Sequence, residues 1–152
     1  MSVTLGPRDL TSHQTGMLSA GDTDELAEEL VAEEYGLLHR PDEREWYDCR
    51  HPRTNAKTEV KSTLRRIGDD YPAAGRFRLR GDQTRSLTSS DAAGVAWYVF
   101  VLFDLERGEI RMRRVKPSTV SGWVSDRGGW NAAGHTEFDE QHKLPWTEVF
   151  DK

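Results

Sequence analysis

The chain has one cysteine, Cys49, which rules out an internal disulfide and any multi-cysteine zinc framework. Lysine is scarce: only Lys57, Lys61, Lys116, Lys143 and Lys152 occur, and the other basic residues are arginine. Long apolar runs are missing as well. The longest, Val95 to Phe103, is too short to span a bilayer as a helix. Residues 1–21 show no basic segment followed by an apolar one, the pattern of a secretion signal. These absences lead to the expectation of a cytoplasmic protein with no membrane partner. Asp and Glu number 26 against 21 Lys and Arg, for a net charge of −5. An acidic, lysine-poor composition points to a salt-adapted source, such as a halophilic archaeon, or to a GC-rich one.

A negative chain is a poor candidate for binding nucleic acid, because phosphate binding is driven by Lys and Arg releasing counterions. The distribution of charge weakens that objection. Residues 1–44 carry ten acids and three bases, whereas residues 45–80 carry five acids and nine bases. The length, 152 residues, suits one domain with one core. Residues 1–21, rich in Thr, Ser and Gly and without hydrophobic periodicity, read as an irregular N-terminal arm ahead of a single domain over 22–152.

From Thr23 an acidic first turn and the apolar residues Leu26, Ala27, Leu30, Val31 and Tyr35 predict a helix ending near Gly36, ahead of a breaker-rich stretch around Pro41 that is expected to hold no regular element. The aromatic segment Glu45–Cys49 predicts a strand, residues 51–55 a turn, and 57–63 a second strand. Arg76–Arg80 alternates strictly, with Phe77 and Leu79 on one face and arginines on the other. A short helix is expected over 82–90. The run 95–103, β-branched and aromatic throughout, predicts a central strand covered on both faces. An alternating strand follows over 110–115. Pro117 opens a short helix, and the remainder is expected to be Gly-rich and irregular up to Leu144-Pro145-Trp146. The fold class is therefore α/β, a mixed β-sheet flanked by helices.

Asp48 lies on the first of these strands, and Glu59-Val60-Lys61 lies on the next. Residues two apart on a strand share a face, so Glu59 and Lys61 project together while Val60 enters the core. A hairpin turn would bring Asp48 beside them. Carboxylate oxygens are hard ligands suited to Mg2+, and a lysine beside them can orient or deprotonate an attacking water or stabilise charge on phosphorus. The bland alternative is a surface hairpin with a cross-strand Asp–Lys pair.

Asp48, the turn, and Thr58-Glu59-Val60-Lys61-Ser62 resemble the PD-(D/E)xK nuclease superfamily, which includes restriction endonucleases and archaeal Holliday-junction resolvases. The resemblance covers roughly residues 22–104 in the order helix, Asp strand, Glu-x-Lys strand, helix, hydrophobic strand. Tyr47 stands where the family usually has proline, a substitution many members tolerate. The resemblance implies a restriction-endonuclease-like fold and Mg2+-dependent hydrolysis of DNA phosphodiesters, with Mn2+ as a substitute ion. It implies catalysis by Asp48, Glu59 and Lys61, and metal binding at Asp48, Glu59 and Val60. Family members often add a glutamate from the first helix, and two acids compete for that place. Glu29, with Ala32 and Gly36, fits a Glu-x-x-Ala spacing seen in some relatives. Glu34 falls in the apolar stripe by helical geometry. Gln83 resembles a helix glutamine that supports the lysine or the water in resolvase-like relatives.

Arg65, Arg66, Arg78, Arg80 and Arg85 are candidates for DNA phosphate contact, solvated arginines being the alternative. Trp123 and Trp130 could stack on bases or close the core. His51, His135 and His142 lack the spacing of a zinc site. A homodimer is expected if the substrate has two strands to cut. Other readings are a DNA-binding module of the same fold without catalysis, and a protein-interaction domain.

Overall fold

The computed structural model describes residues 2–68, 73–131 and 140–151. In chain order the elements are β1 (Ser2–Leu5), α1 (Ser12–Ala20), α2 (Thr23–Tyr35), β2 (Leu38–Arg44), β3 (Tyr47–Arg50), β4 (Lys57–Leu64), β5 (Arg66–Ile67), β6 (Ala73–Ala74) and β7 (Arg76–Arg80). They continue with α3 (Gly81–Ala93), β8 (Ala96–Asp104), β9 (Glu109–Val115), α4 (Pro117–Asp126) and β10 (Gln141–Pro145).

The apolar run of the sequence becomes β8, and the other elements cover its two faces. Val99, Val101 and Phe103 join Leu26, Ala27, Leu30 and Val31 of α2 in one core, together with Met17 of α1. Tyr98, Phe100 and Leu102 join Leu87 of α3, Val120 and Val124 of α4, and Phe77 and Leu79 of β7 in the other. With both faces buried, period-two alternation of polarity has no place in this strand. The six-stranded sheet runs β1-β9-β8-β4-β3-β2. Its pairings are antiparallel except β4 with β8, which run parallel with Glu59 opposite Tyr98. The expected mixed sheet flanked by helices is what the chain forms. No helix among the described residues is long and apolar enough to cross a membrane.

Four local expectations need correction. The region expected as an irregular arm contains β1, which pairs with the outer edge of β9, and α1. Thr11 Oγ1 accepts from Gln14 N at 3.1 Å while Gln14 Oε1 accepts from Thr11 N at 2.9 Å, a capping box that starts a helix of little hydrophobic periodicity. The stretch around Pro41 is a strand, β2. Proline fits because β2 is the sheet edge, and the β2–β3 register slips between His39 and Arg44, spanning Pro41. Part of the C-terminal region is also regular: β10 pairs along β7, Lys143 opposite Arg78. Finally, β7 belongs to this two-stranded sheet and not to the main one.

Gly75 explains how the second sheet is anchored. Its N–H donates to the Arg65 carbonyl and its own carbonyl accepts from Trp146 N. A Cβ there would lie 1.7 Å from the Leu64 carbonyl oxygen, so only glycine lets β7 start this close to the end of β4.

Candidate active site

The site lies where β3 and β4 part. Their ladder pairs only Cys49 with Thr58 and Arg50 with Lys57. One rung further the backbones no longer bond, and Val60 N donates to Asp48 Oδ2 at 2.9 Å. A side chain thus takes the hydrogen bond that a neighbouring strand would have accepted. The N–H and C=O of one strand residue point to the same side, so the Val60 carbonyl also faces the gap. Cys49 points into the core on the α2 side, which turns its neighbour Asp48 away from it.

Glu59 is 4% exposed. Lys61 Nζ lies 3.2 Å from Glu59 Oε2 and donates to Gln83 Oε1 at 2.8 Å. Gln83, in the first turn of α3, donates from its other amide atom to the Glu45 carbonyl at 2.7 Å. Burial raises the Glu59 carboxyl well above the usual range; Lys61 opposes the shift, and the charge and hydrogen bond of Asp48 add to it. Glu28 is raised too, by burial and then by Asp48, with the His39 hydrogen bond pulling the other way. Two carboxyls whose ionisation Asp48 resists mark a place short of positive charge.

These groups line a cleft of about 440 Å³ together with Asp24, Ser62, Arg76, Arg78 and Arg80. Ser62 Oγ donates to Asp24 Oδ1 at 2.6 Å, tying α2 to β4. The β7 alternation seats Phe77 and Leu79 in the core, both 0% exposed, and leaves the arginines along the cleft. Arg76 and Arg78 form no ion pair with any described residue, whereas Arg80 pairs with Asp82.

Of the residues predicted from sequence, Asp48, Glu59, Val60, Lys61, Gln83, Arg78 and Arg80 meet here. The two helix acids singled out from the sequence lie away from the cleft. Glu29 faces α1, where it accepts from the Gln14 amide at 3.3 Å, and Glu34 is exposed near the helix end. Glu28 and Asp24, one turn apart on α2, line the cleft instead. A step of one residue rotates a helical side chain by about 100°, enough to exchange one flank for another. Arg65, Arg66 and Arg85 also lie elsewhere, bound to acids nearby. Arg65 donates to Asp104 at 3.1 Å, Arg66 lies 3.6 Å from Glu106, and Arg85 donates to Glu140 at 2.7 Å. Trp123 and Trp130 pack against the core. His51 caps its own turn, accepting from Arg53 N and Thr54 N. His142 bonds the Gly129 carbonyl, and His135 falls outside the described residues.

Sequence reasoning missed Asp24 and Glu28. Their i, i+4 spacing sets them on one flank of the apolar stripe, but nothing local marks that flank as the one that faces the cleft. It also left Arg76 out of the candidate set, although the alternation already put it on the face of Arg78 and Arg80. Among the described residues no three His, Cys, Asp or Glu side chains are already gathered as a metal-binding group. The donors in the cleft nevertheless suit a hard divalent cation: all are oxygens, and Glu59 is a nearly buried carboxyl beside a second one.

The family model described as "PD-(D/E)XK nuclease superfamily domain" matches residues 14–151. No curated protein and no solved structure matches the chain.

Proposed function

Because the chain belongs to the PD-(D/E)XK nuclease superfamily, we propose that it is a metal-dependent DNA endonuclease whose catalytic centre is the cleft between β3, β4, α2 and α3. The observation that carries this reading is the meeting of Asp48, Glu59 and Lys61 at the fork of two strands, with the lysine fixed by Gln83. Asp48 and Glu59, with the Val60 carbonyl and Glu28, are the groups that would hold Mg2+, or Mn2+ in its place. When bound, the cation supplies electrophilic assistance at the scissile phosphate.

The chain's own groups do the rest. Lys61 stands beside the carboxylates, where its ammonium can orient the attacking water and stabilise charge on the phosphate oxygens. Gln83 and Glu59 hold its ammonium from two sides. Arg76, Arg78 and Arg80 recur at every second residue of an extended strand, roughly 6–7 Å apart. Such a row follows the backbone of a nucleic acid and ignores base sequence. A substrate with two strands to cut calls for two such clefts, which a symmetric homodimer supplies.

The test is incubation with plasmid, linear, flapped and four-way DNA, in Mg2+ or in chelator, with Asp48→Asn alongside. Metal-dependent cutting lost in Asp48→Asn supports the reading. Preference for the four-way substrate indicates a resolvase, and cutting of linear duplex at defined sequences a restriction-type enzyme. Binding without cutting leaves a DNA-binding module of the same fold.

A further inference from the structure

Glu28 is among the groups that would hold the cation, but its partner His39 has no role in the reaction described above. His39 sits on β2 opposite Cys49, the residue after Asp48, in the last regular rung before the β2–β3 register slips. Its Nε2 lies 2.8 Å from Glu28 Oε1. An ionised carboxylate only accepts, so with Glu28 ionised this ring nitrogen carries the proton. Both side chains are partly sheltered, His39 31% and Glu28 21% exposed.

A glutamate on a helix flank has three rotatable bonds and ordinarily turns to water. Among the described residues His39 is the one hydrogen-bond partner of its carboxyl, so without that bond nothing in the cleft wall keeps the side chain from turning out. The His39 bond acts against that. It fixes one carboxyl oxygen in the cleft wall, and among the described residues the other oxygen makes no hydrogen bond. One oxygen anchored and one free is how a protein presents a carboxylate to a ligand, as outer groups orient the ligands of a metal.

Resting on the reading of the cleft as a metal centre, the geometry points to His39 as a positioning residue: it holds Glu28 as the third carboxylate beside Asp48 and Glu59, and so sets the affinity of the cleft for a divalent cation. His39 touches neither substrate nor metal. The pair as a mere clamp between α2 and the edge strand would act on stability alone.

The experiment is calorimetric titration of the full chain with Mn2+, with urea unfolding of each sample. The variants are Asp48→Asn, Glu28→Gln, His39→Leu, His39→Gln, and His39→Leu combined with Glu28→Gln. His39→Leu is expected to weaken Mn2+ binding by about 10- to 100-fold, the effect usual for such outer groups. His39→Gln, whose terminal amide reaches the same oxygen, keeps most of the affinity. The double variant binds no more weakly than Glu28→Gln alone. Should His39→Leu not fold, His39→Asn, whose amide falls short of Glu28, takes its place. Wild-type affinity in His39→Leu with a lowered urea midpoint makes the pair a clamp and overturns the proposal. Loss of binding in Asp48→Asn with full binding in His39→Leu removes only His39's part. Equal binding by Asp48→Asn and wild type removes the metal centre itself.

Discussion

Lys61 and Gln83, 22 residues apart in sequence, are joined end to end, the ammonium donating to the amide oxygen at 2.8 Å. The amide nitrogen of Gln83 is spent on the Glu45 carbonyl, so turning the amide over would set a donor against a donor and leave both bonds unmade. Lys61 is therefore held from α3 as well as from its own strand.

This geometry predicts the ranking of two variants. Lys61→Ala should slow single-turnover cleavage by roughly 100-fold or more, the scale of a group acting on the reacting atoms, with DNA affinity unchanged. Lys61→Arg should not restore the rate, because a planar guanidinium does not fit a place built for a compact ammonium. Gln83→Leu should cost about 10-fold. Added to Lys61→Ala it should cost nothing further, since it works through the lysine. Additive losses in that cycle would give Gln83 an independent role.

Asp48→Asn and Glu59→Gln should each abolish cleavage while leaving DNA binding largely intact. Their effects on stability should differ. Burial raises the Glu59 carboxyl in the folded state, so its contribution is fully present below the ordinary carboxylate pKa and is lost as pH rises through the raised folded value. At neutral pH in chelator, Glu59→Gln should therefore match or exceed wild-type stability. The difference should shrink toward zero as the pH falls below 4. Urea unfolding across pH 3 to 8 measures this, and a Glu59→Gln protein less stable than wild type at pH 7 would contradict it.

Arg76→Ala combined with Arg78→Ala should weaken binding to all DNA sequences alike. It should also flatten the dependence of log affinity on log salt by about 1.8, or 0.9 for each phosphate no longer neutralised. Arg66→Ala and Arg85→Ala, whose partners are Glu106 and Glu140, should leave the slope as it is. Fluorescence anisotropy from 50 to 300 mM salt, about the range over which such slopes are read, checks both statements.

Gly75→Ala should be among the most damaging single substitutions outside the cleft. The added methyl meets backbone, the Leu64 carbonyl at 1.7 Å, and not a side chain that can turn away. A loss of about 3 kcal/mol or more is expected, at the upper end for overpacking. A urea midpoint close to wild type would show that β7 can shift without harm.

The parts of the site legible in sequence were those fixed by local geometry. Glu59 and Lys61 share a face because strands alternate, and the hairpin that returns the chain to Asp48 follows from the turn residues between them. Gln83 rested on resemblance alone, and the structure supplies its contact with Lys61. Glu28 was not legible, because which flank of α2 meets the fork depends on how the helix crosses the sheet. Neither the stripe of Leu26, Ala27, Leu30 and Val31 nor the Glu-x-x-Ala spacing encodes that crossing. Arg65, Arg66 and Arg85 had the right composition but are claimed by Asp104, Glu106 and Glu140, acids that lie 39, 40 and 55 positions further on and approach only after folding. The capping box of Thr11 and Gln14 was present in the sequence, yet α1 lacks the apolar stripe by which helices are usually found.

The pairing of β7 with β10 gives the cleft an order of completion during synthesis. Asp48, Glu59, Lys61, Arg76, Arg78, Arg80 and Gln83 all precede β8 in the chain, but the strand bearing the arginines finds its ladder partner only when residues 141–145 follow. Some sixty residues separate Gln83 from the strand that completes the wall of arginines. A chain cut short near residue 130 thus contains the acids and the arginines of the cleft but lacks the strand that pairs with β7.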